Sequence, residues 1–155
     1  PGAFKATWSG KVDLFVAKFS PDGAQLLLGT YLGGSLADFS ETHGLALDPL
    51  TGDIIVAATT TSPGLATPGA FQSTYGGTGG LGTGAATNYP GDGFVARLSP
   101  TGALLALTYL GGVVGEGLEG VWVDPVSGDI AVGSRMFGAR LALNPYEANS
   151  GKMEV

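Results

Sequence analysis

Asp13-Leu-Phe-Val-Ala-Lys-Phe-Ser-Pro-Asp-Gly23 returns further along the chain as Asp92-Gly-Phe-Val-Ala-Arg-Leu-Ser-Pro-Thr-Gly102, with seven positions identical. Lys18/Arg97 and Phe19/Leu98 keep their chemical character. An internal repeat of this kind means that the chain is built from copies of one supersecondary unit, each needing a neighbour to bury its apolar surface.

The neighbours of the motif extend the match. Thr30-Tyr-Leu-Gly-Gly34 recurs as Thr108-Tyr-Leu-Gly-Gly112. Gly44-Leu-Ala-Leu-Asp-Pro-Leu-Thr-Gly-Asp-Ile-Ile-Val56 recurs as Gly120-Val-Trp-Val-Asp-Pro-Val-Ser-Gly-Asp-Ile-Ala-Val132. Pro1-Gly-Ala-Phe4 recurs as Pro68-Gly-Ala-Phe71, with an aromatic four residues later in each copy, Trp8 and Tyr75. The offsets are 79, 78, 76 and 67; the last is shorter because the second copy carries 12 extra residues between Phe71 and Asp92. Seven glycines fall within 76–92, so the insertion reads as loop.

Inside the motif the alternation has period two. Phe15, Ala17 and Phe19 oppose Val16, Lys18 and Ser20, which is a strand pattern. Ser20-Pro-Asp-Gly23 and Ser99-Pro-Thr-Gly102 supply the residues of a tight reversal. The returning runs, 26–32 and 104–110, are continuously apolar and suit strands covered on both faces. A second hairpin type turns on Asp48-Pro-Leu-Thr-Gly-Asp53 and Asp124-Pro-Val-Ser-Gly-Asp129. One complete cycle is then four strands, near 44–48, 53–60, 92–99 and 103–110. Flanking strands are predicted near 12–19, 25–32, 120–124 and 129–135, with a third and fourth strand of the last unit at 139–143 and 152–155. No segment has helical periodicity.

The fold class is therefore all-β, and four-stranded antiparallel units in tandem describe β-propeller blades. The predicted division is a partial blade at 1–34, a full blade at 35–112 carrying the Gly-rich insertion 76–91, and a further blade at 113–155. That is about 2.5 blades, whereas a closed ring needs about four or more. Further blades of the same polypeptide, or other subunits, are expected to complete the ring; an open arc against another protein is the alternative. The mid-unit start favours a piece of a longer polypeptide.

Composition narrows the function classes. Net charge is −6 with no basic cluster, so nucleic acid is not an expected partner. Charged residues are only 13% of the chain, about half the usual share, as befits sheets covered on both faces. No apolar run approaches the ~20 residues of a transmembrane segment. The chain has no cysteine, which excludes disulfides and thiolate metal sites. No signal peptide is visible, and a chain opening on Pro-Gly-Ala-Phe is expected to have lost its true N-terminus.

The string Asp-x-Phe-Val-Ala-Lys/Arg-x-Ser-Pro-x-Gly, followed by Thr-Tyr-Leu-Gly-Gly and preceded by Thr-Pro-Gly-Ala-Phe-Gln-x-Thr-Tyr-Gly-Gly at 67–77, resembles the SBBP repeats. These are β-propeller repeats of large secreted or surface-attached bacterial proteins. The resemblance runs from Pro1 to about Arg140. It departs from the family at the 76–91 insertion, at the Asp-Pro-x-x-Gly-Asp turn, and in the tail after Arg135. It implies a propeller fold and an extracellular, cell-surface or periplasmic setting. The family has no common catalytic residues, so none carries over.

The candidate sites are few. Asp48/Asp53 and Asp124/Asp129 pair carboxylates five residues apart, acids that a calcium loop could use, but the alternating acidic positions and the distal Glu of an EF-hand are absent and hairpin turn chemistry is the preferred reading. Asp13 and Asp92 either line a channel as ligand carboxylates or accept backbone N–H groups, and recurrence favours the second. His43, with Glu41 two residues before it, lacks a nucleophile partner. The glycines of 76–84 lack the Lys-Ser/Thr of a phosphate loop. Tyr75, Tyr89 and Asp92 flank that insertion and are the candidate interaction residues. Phe71 is expected to pin the loop to its blade.

The function that follows is a non-catalytic scaffold and interaction module of a secreted or cell-surface protein, taking a protein or glycan partner, with the 76–91 insertion as the best contact. No cofactor or metal is expected. The alternatives are an extrinsic structural subunit, peripheral on a membrane-associated complex, and, less favoured, a propeller enzyme acting on polysaccharide.

Overall fold

The computed structural model describes residues 3–39, 44–77, 91–112 and 115–136. Within them the chain is all-β: every sheet is antiparallel and there is no helix. The strands proposed at 139–143 and 152–155, and most of the insertion, lie outside the described residues.

The central sheet is the complete cycle. β3 (Asp38–Phe39) and β4 (Leu45–Leu47) lie in succession along β5 (Ile54–Thr60), which pairs with β6 (Asp92–Leu98), which pairs with β7 (Leu104–Leu110). Two hairpins flank it: β1 (Leu14–Phe19) with β2 (Leu26–Leu32), and β8 (Glu116–Val123) with β9 (Ile130–Met136). Sequence reasoning placed these strands but missed β3, which is only two residues long.

Repetition of sequence becomes repetition of register. Phe15 pairs with Tyr31 as Phe94 pairs with Tyr109, and Ala17 pairs with Gly29 as Ala96 pairs with Leu107. Even the irregularity recurs, between Lys18 and Phe19 and again between Arg97 and Leu98. The reversals are equally alike. Gly23 and Gly102 close their turns by donating to Ser20 and Ser99 carbonyls at 2.8 and 2.9 Å, both with φ in the left-handed region that glycine tolerates. β1–β2 is thus a copy of β6–β7, and β8–β9 a copy of β4–β5.

The core follows from this stacking. All of β5 is buried, because both of its faces are covered. One face, Ile54, Val56 and Ala58 with Phe94, Leu98 and Tyr109, shares a single apolar cluster with Val16, Leu28 and Leu32 of the first hairpin. β8 packs on β5 on the other side. Burying a side chain such as Phe94 stabilises the fold by about 2–3 kcal/mol.

One expectation is corrected here. The apolar run of β2 is covered on one face only: Leu28, Thr30 and Leu32 are buried, whereas Leu26, Leu27 and Tyr31 are exposed. The cause is positional. Nothing among the described residues lies on the Phe15 side of the first hairpin, while the equivalent side of β6–β7 is covered by that hairpin.

Candidate functional site

Four carboxylates mark the ends of strands where the repeats meet. Asp13 precedes β1. Its Oδ2 accepts the Ser9 N–H at 3.0 Å and the Lys5 ammonium at 3.2 Å, and its Oδ1 accepts the Gly10 N–H at 2.9 Å. Asp92 opens β6 in the same role. Its Oδ2 accepts the Gly76 N–H at 2.7 Å and the Gln72 amide at 3.3 Å. Both therefore act as acceptors for the preceding loop, as the recurrence of Asp suggested. In the second copy, that loop has been lengthened by the insertion without losing the contact.

The other two carboxylates escaped the sequence reading. Asp38 opens β3 and Glu116 opens β8, each four residues after the second glycine of Thr-Tyr-Leu-Gly-Gly. Asp38 Oδ2 accepts the Gly34 N–H at 2.9 Å, and Glu116 Oε2 accepts the Gly112 N–H at 3.0 Å. Both are buried. The spacing was available as a signal, since Asp38 and Glu116 differ by the same 78 positions as the motif before them.

Burial dominates their protonation. It raises the Asp38 carboxyl, against the Thr60 hydroxyl and the Gly34 N–H, and the charge of Asp13 adds to the rise. Burial likewise raises Asp92, opposed by the Gly76 and Gly77 N–H groups and by Gln72. Glu116 is pushed up to about 7, by burial first and by the negative charge of Asp92 next, with the Gly112 N–H alone pulling it back. Tyr109 is fully buried. Its hydroxyl donates to the Ser62 carbonyl and accepts the Leu65 N–H, both at 2.8 Å, and burial lifts its pKa with small contributions from Asp92 and Asp38.

Arg97 forms a separate, inter-strand fork. Nε reaches Asp53 Oδ2 and Nη2 reaches Asp48 Oδ2, both at 2.6 Å, tying the Asp-Pro turn to β6. Asp48 Oδ1 accepts the Leu50 N–H at 2.8 Å within that turn. This bond is the main reason its carboxyl sits below the ordinary value, with Thr51 and the Arg97 charge contributing. Asp124 repeats the turn through the Val126 and Ser127 N–H groups at 2.7 and 3.0 Å. The Asp pairs are thus engaged in turns, and at the first turn in an ion pair that the sequence did not reveal.

The segment 67–71 borders a cleft of about 340 Å³, shared with Val95, Arg97, Leu105, Thr108 and Ile130. Phe71 is 71% exposed there, so the expected pinning by its ring is wrong. Hydrogen bonds to the Gln72 backbone hold this segment instead: Gln72 N donates to the Thr108 side-chain Oγ1 at 2.9 Å and Tyr109 N donates to the Gln72 carbonyl at 3.1 Å. Lys5 makes the same pair of bonds with Thr30 and Tyr31. Tyr75 does pin the loop, standing edge-on to Tyr109 with ring centroids 5.8 Å apart.

Of the candidate interaction residues, Tyr75 and Asp92 come together beside Gly77, where an added Cβ would lie 2.5 Å from the Tyr75 hydroxyl and 3.0 Å from Asp92 Oδ1. Both serve the interior of the repeat. Tyr89, His43 and Glu41 lie outside the described residues. Searches against protein-family models, curated proteins and solved structures find no match for this chain.

Proposed function

We propose that the chain is a non-catalytic segment of a β-propeller, a scaffold and interaction module of a secreted or cell-surface protein. One observation carries this reading: the outer face of the first hairpin repeats the face of the central sheet on which that hairpin is seated. The first hairpin presents Phe15, Phe19, Leu26 and Tyr31 to solvent, and their counterparts Phe94, Leu98, Leu104 and Tyr109 are the residues on which that hairpin's opposite face is seated. On the other face of the central sheet, the side on which β8 packs, Val95, Ala106 and Thr108 border an open cleft beside Ile130, and their counterparts Val16, Leu28 and Thr30 are buried. The Phe15 face of the first hairpin thus has the form of a seat for one more sheet, as stacked blades require.

The recurring carboxylates support a structural rather than catalytic role, because each is committed to backbone N–H groups at a loop end. The resemblance to SBBP repeats is in keeping with this reading and supplies the extracytoplasmic setting. The protein or glycan contact is assigned to the insertion that follows Tyr75. Electron microscopy of the native protein tests the proposal: it predicts a ring or arc of four-stranded sheets around an axis, and a two-layer sandwich would contradict it.

A further inference from the structure

The central sheet is built from two hairpins of different kinds. β4–β5 turns on Asp48-Pro-Leu-Thr-Gly-Asp53 and β6–β7 on Ser99-Pro-Thr-Gly102, and the pairing of β5 with β6 joins them. The chain holds a second hairpin of each kind, β8–β9 and β1–β2, and these stay two-stranded among the described residues. The edge of β9 that corresponds to the β6-paired edge of β5 has no partner strand there. Neither has the edge of β1 that corresponds to the β5-paired edge of β6. An open edge presents a row of unpaired N–H and C=O groups and is a template for another strand. The segment 137–155 repeats neither Asp-x-Phe-Val-Ala nor Ser-Pro-x-Gly, so it offers β9 no further copy of these motifs.

The two half-sheets are matched in charge and in apolar surface. In the central sheet Arg97 of β6 reaches Asp53 and Asp48 of the turn before β5, each at 2.6 Å. The counterpart of Arg97 on β1 is Lys18, and the counterparts of Asp48 and Asp53 before β9 are Asp124 and Asp129. Lys18, Asp124 and Asp129 form no ion pair among the described residues. The cation is left at one open edge and the two acids at the other. The apolar surfaces divide in the same way. Phe15, Phe19, Leu26 and Tyr31 stand exposed on β1–β2, and a cleft lined by Val95, Ala106, Thr108 and Ile130 lies open beside β9. Within the chain these two kinds of surface already share one cluster, Phe94, Leu98 and Tyr109 with Val16 and Leu28.

We propose that the partner of both edges is a second copy of this chain, whose β1–β2 hairpin completes the β8–β9 half-sheet of the first; this rests on the propeller reading. β9 then pairs with β1 of the second copy in the register of β5 and β6. Ile54↔Leu98, Ile55↔Arg97, Val56↔Ala96 and Ala57↔Val95 become Ile130↔Phe19, Ala131↔Lys18, Val132↔Ala17 and Gly133↔Val16 between copies. That one pairing brings Lys18 to the turn of Asp124 and Asp129, and it lays Phe15, Phe19 and Tyr31 over the Val95 cleft. The open edges, the exposed face, the cleft and the unpaired charges are resolved together. The contact is heterologous, so copies add head to tail and close into a ring where the rotation allows. Each copy supplies two sheets and a closed ring needs about four or more, so closure takes at least two copies. Dilution returns the isolated chain.

Single-cysteine variants test the pairing, because the chain has no cysteine of its own. Ala17→Cys and Val132→Cys, mixed and mildly oxidised, are expected to form a disulfide between the two variants. Ala17→Cys mixed with Ala131→Cys is not, since a shift of one residue turns the thiols to opposite faces. Light scattering of the unmodified 155-residue chain is expected to show a mass that rises with concentration to a defined multiple of one chain. Lys18→Glu should weaken that association about tenfold or more. Lys18→Glu combined with Asp129→Lys should restore it, which recovery from simple misfolding would not do. The proposal is overturned by a chain that stays monomeric at every concentration, or by an association that Lys18→Glu leaves unchanged. It is also overturned if Ala17→Cys couples to itself or to Ala131→Cys in preference to Val132→Cys. In each of these cases the edges belong to other strands, and the propeller reading is judged separately by the sheet arrangement seen in electron microscopy.

Discussion

Phe15 and Phe94 occupy the same place in two copies of one motif, facing Tyr31 and Tyr109 in the same register, yet Phe15 is 74% exposed and Phe94 is fully buried. Local sequence and local backbone are the same, so the difference lies in the neighbouring sheet. Phe94 has one and Phe15 does not. The chain thereby contains its own control for what inter-sheet packing contributes.

That control gives the first prediction. Phe94→Ala removes a ring from a close-packed cluster and is expected to cost about 3–5 kcal/mol. In the same 155-residue chain Phe15→Ala is expected to change stability by no more than about 0.5 kcal/mol. Urea unfolding of the two variants measures both, and equal losses would contradict the packing described.

Arg97 is predicted to be the main polar tie between the Asp-Pro turn and β6. Its guanidinium bridges two carboxylates, and Asp48 is nearly enclosed. Arg97→Met should lower Tm by several degrees, because it leaves Asp48 and Asp53 without their cation. Arg97→Lys should recover only part of the loss, since an ammonium does not reproduce the planar fork.

Acid should weaken the same turn. The Asp48 carboxyl lies below its ordinary value of 3.8 in the folded chain. Its contribution to stability is therefore complete above the ordinary carboxylate range and is lost as pH falls through the lowered pKa. Asp48→Asn keeps the acceptor for the Leu50 N–H and removes the titrating charge. The variant should be less stable than the parent at neutral pH and should converge with it at low pH, as read from Tm against pH.

Gly34 is predicted to be intolerant of any side chain. An added Cβ would lie 2.3 Å from Ser62 Cβ, and the Gly34 N–H serves the buried Asp38. Gly34→Ala is expected to cost about 1–3 kcal/mol through overpacking. Chemical denaturation measures it, and a neutral effect would show that the Gly-Gly bend relaxes freely.

Most of the architecture was legible because the repeat states its own register: the strand pairs, the turns and their glycines follow from period-two alternation and Pro/Gly placement. Three features were not. β3 is too short to carry a period. The exposure of Leu26, Leu27 and Tyr31 depends on a neighbouring sheet, which a local pattern does not encode. The Arg97 fork joins residues 44 and 49 positions apart, and only the pairing of β5 with β6 brings them together. At the candidate site, Asp92 was found through its motif. Glu116 was hidden by its change from Asp38, although the spacing was conserved between the copies.

The central claim is that a further sheet covers the Phe15 face in the native assembly. With no cysteine in the chain, Phe15→Cys offers a single thiol whose alkylation rate reports that coverage. The account predicts rapid labelling in the isolated 155-residue chain and strong protection in the native assembly, as at a buried core position. Equally rapid labelling in both would mean that the face stays open to solvent, and the stacked-sheet account would fail.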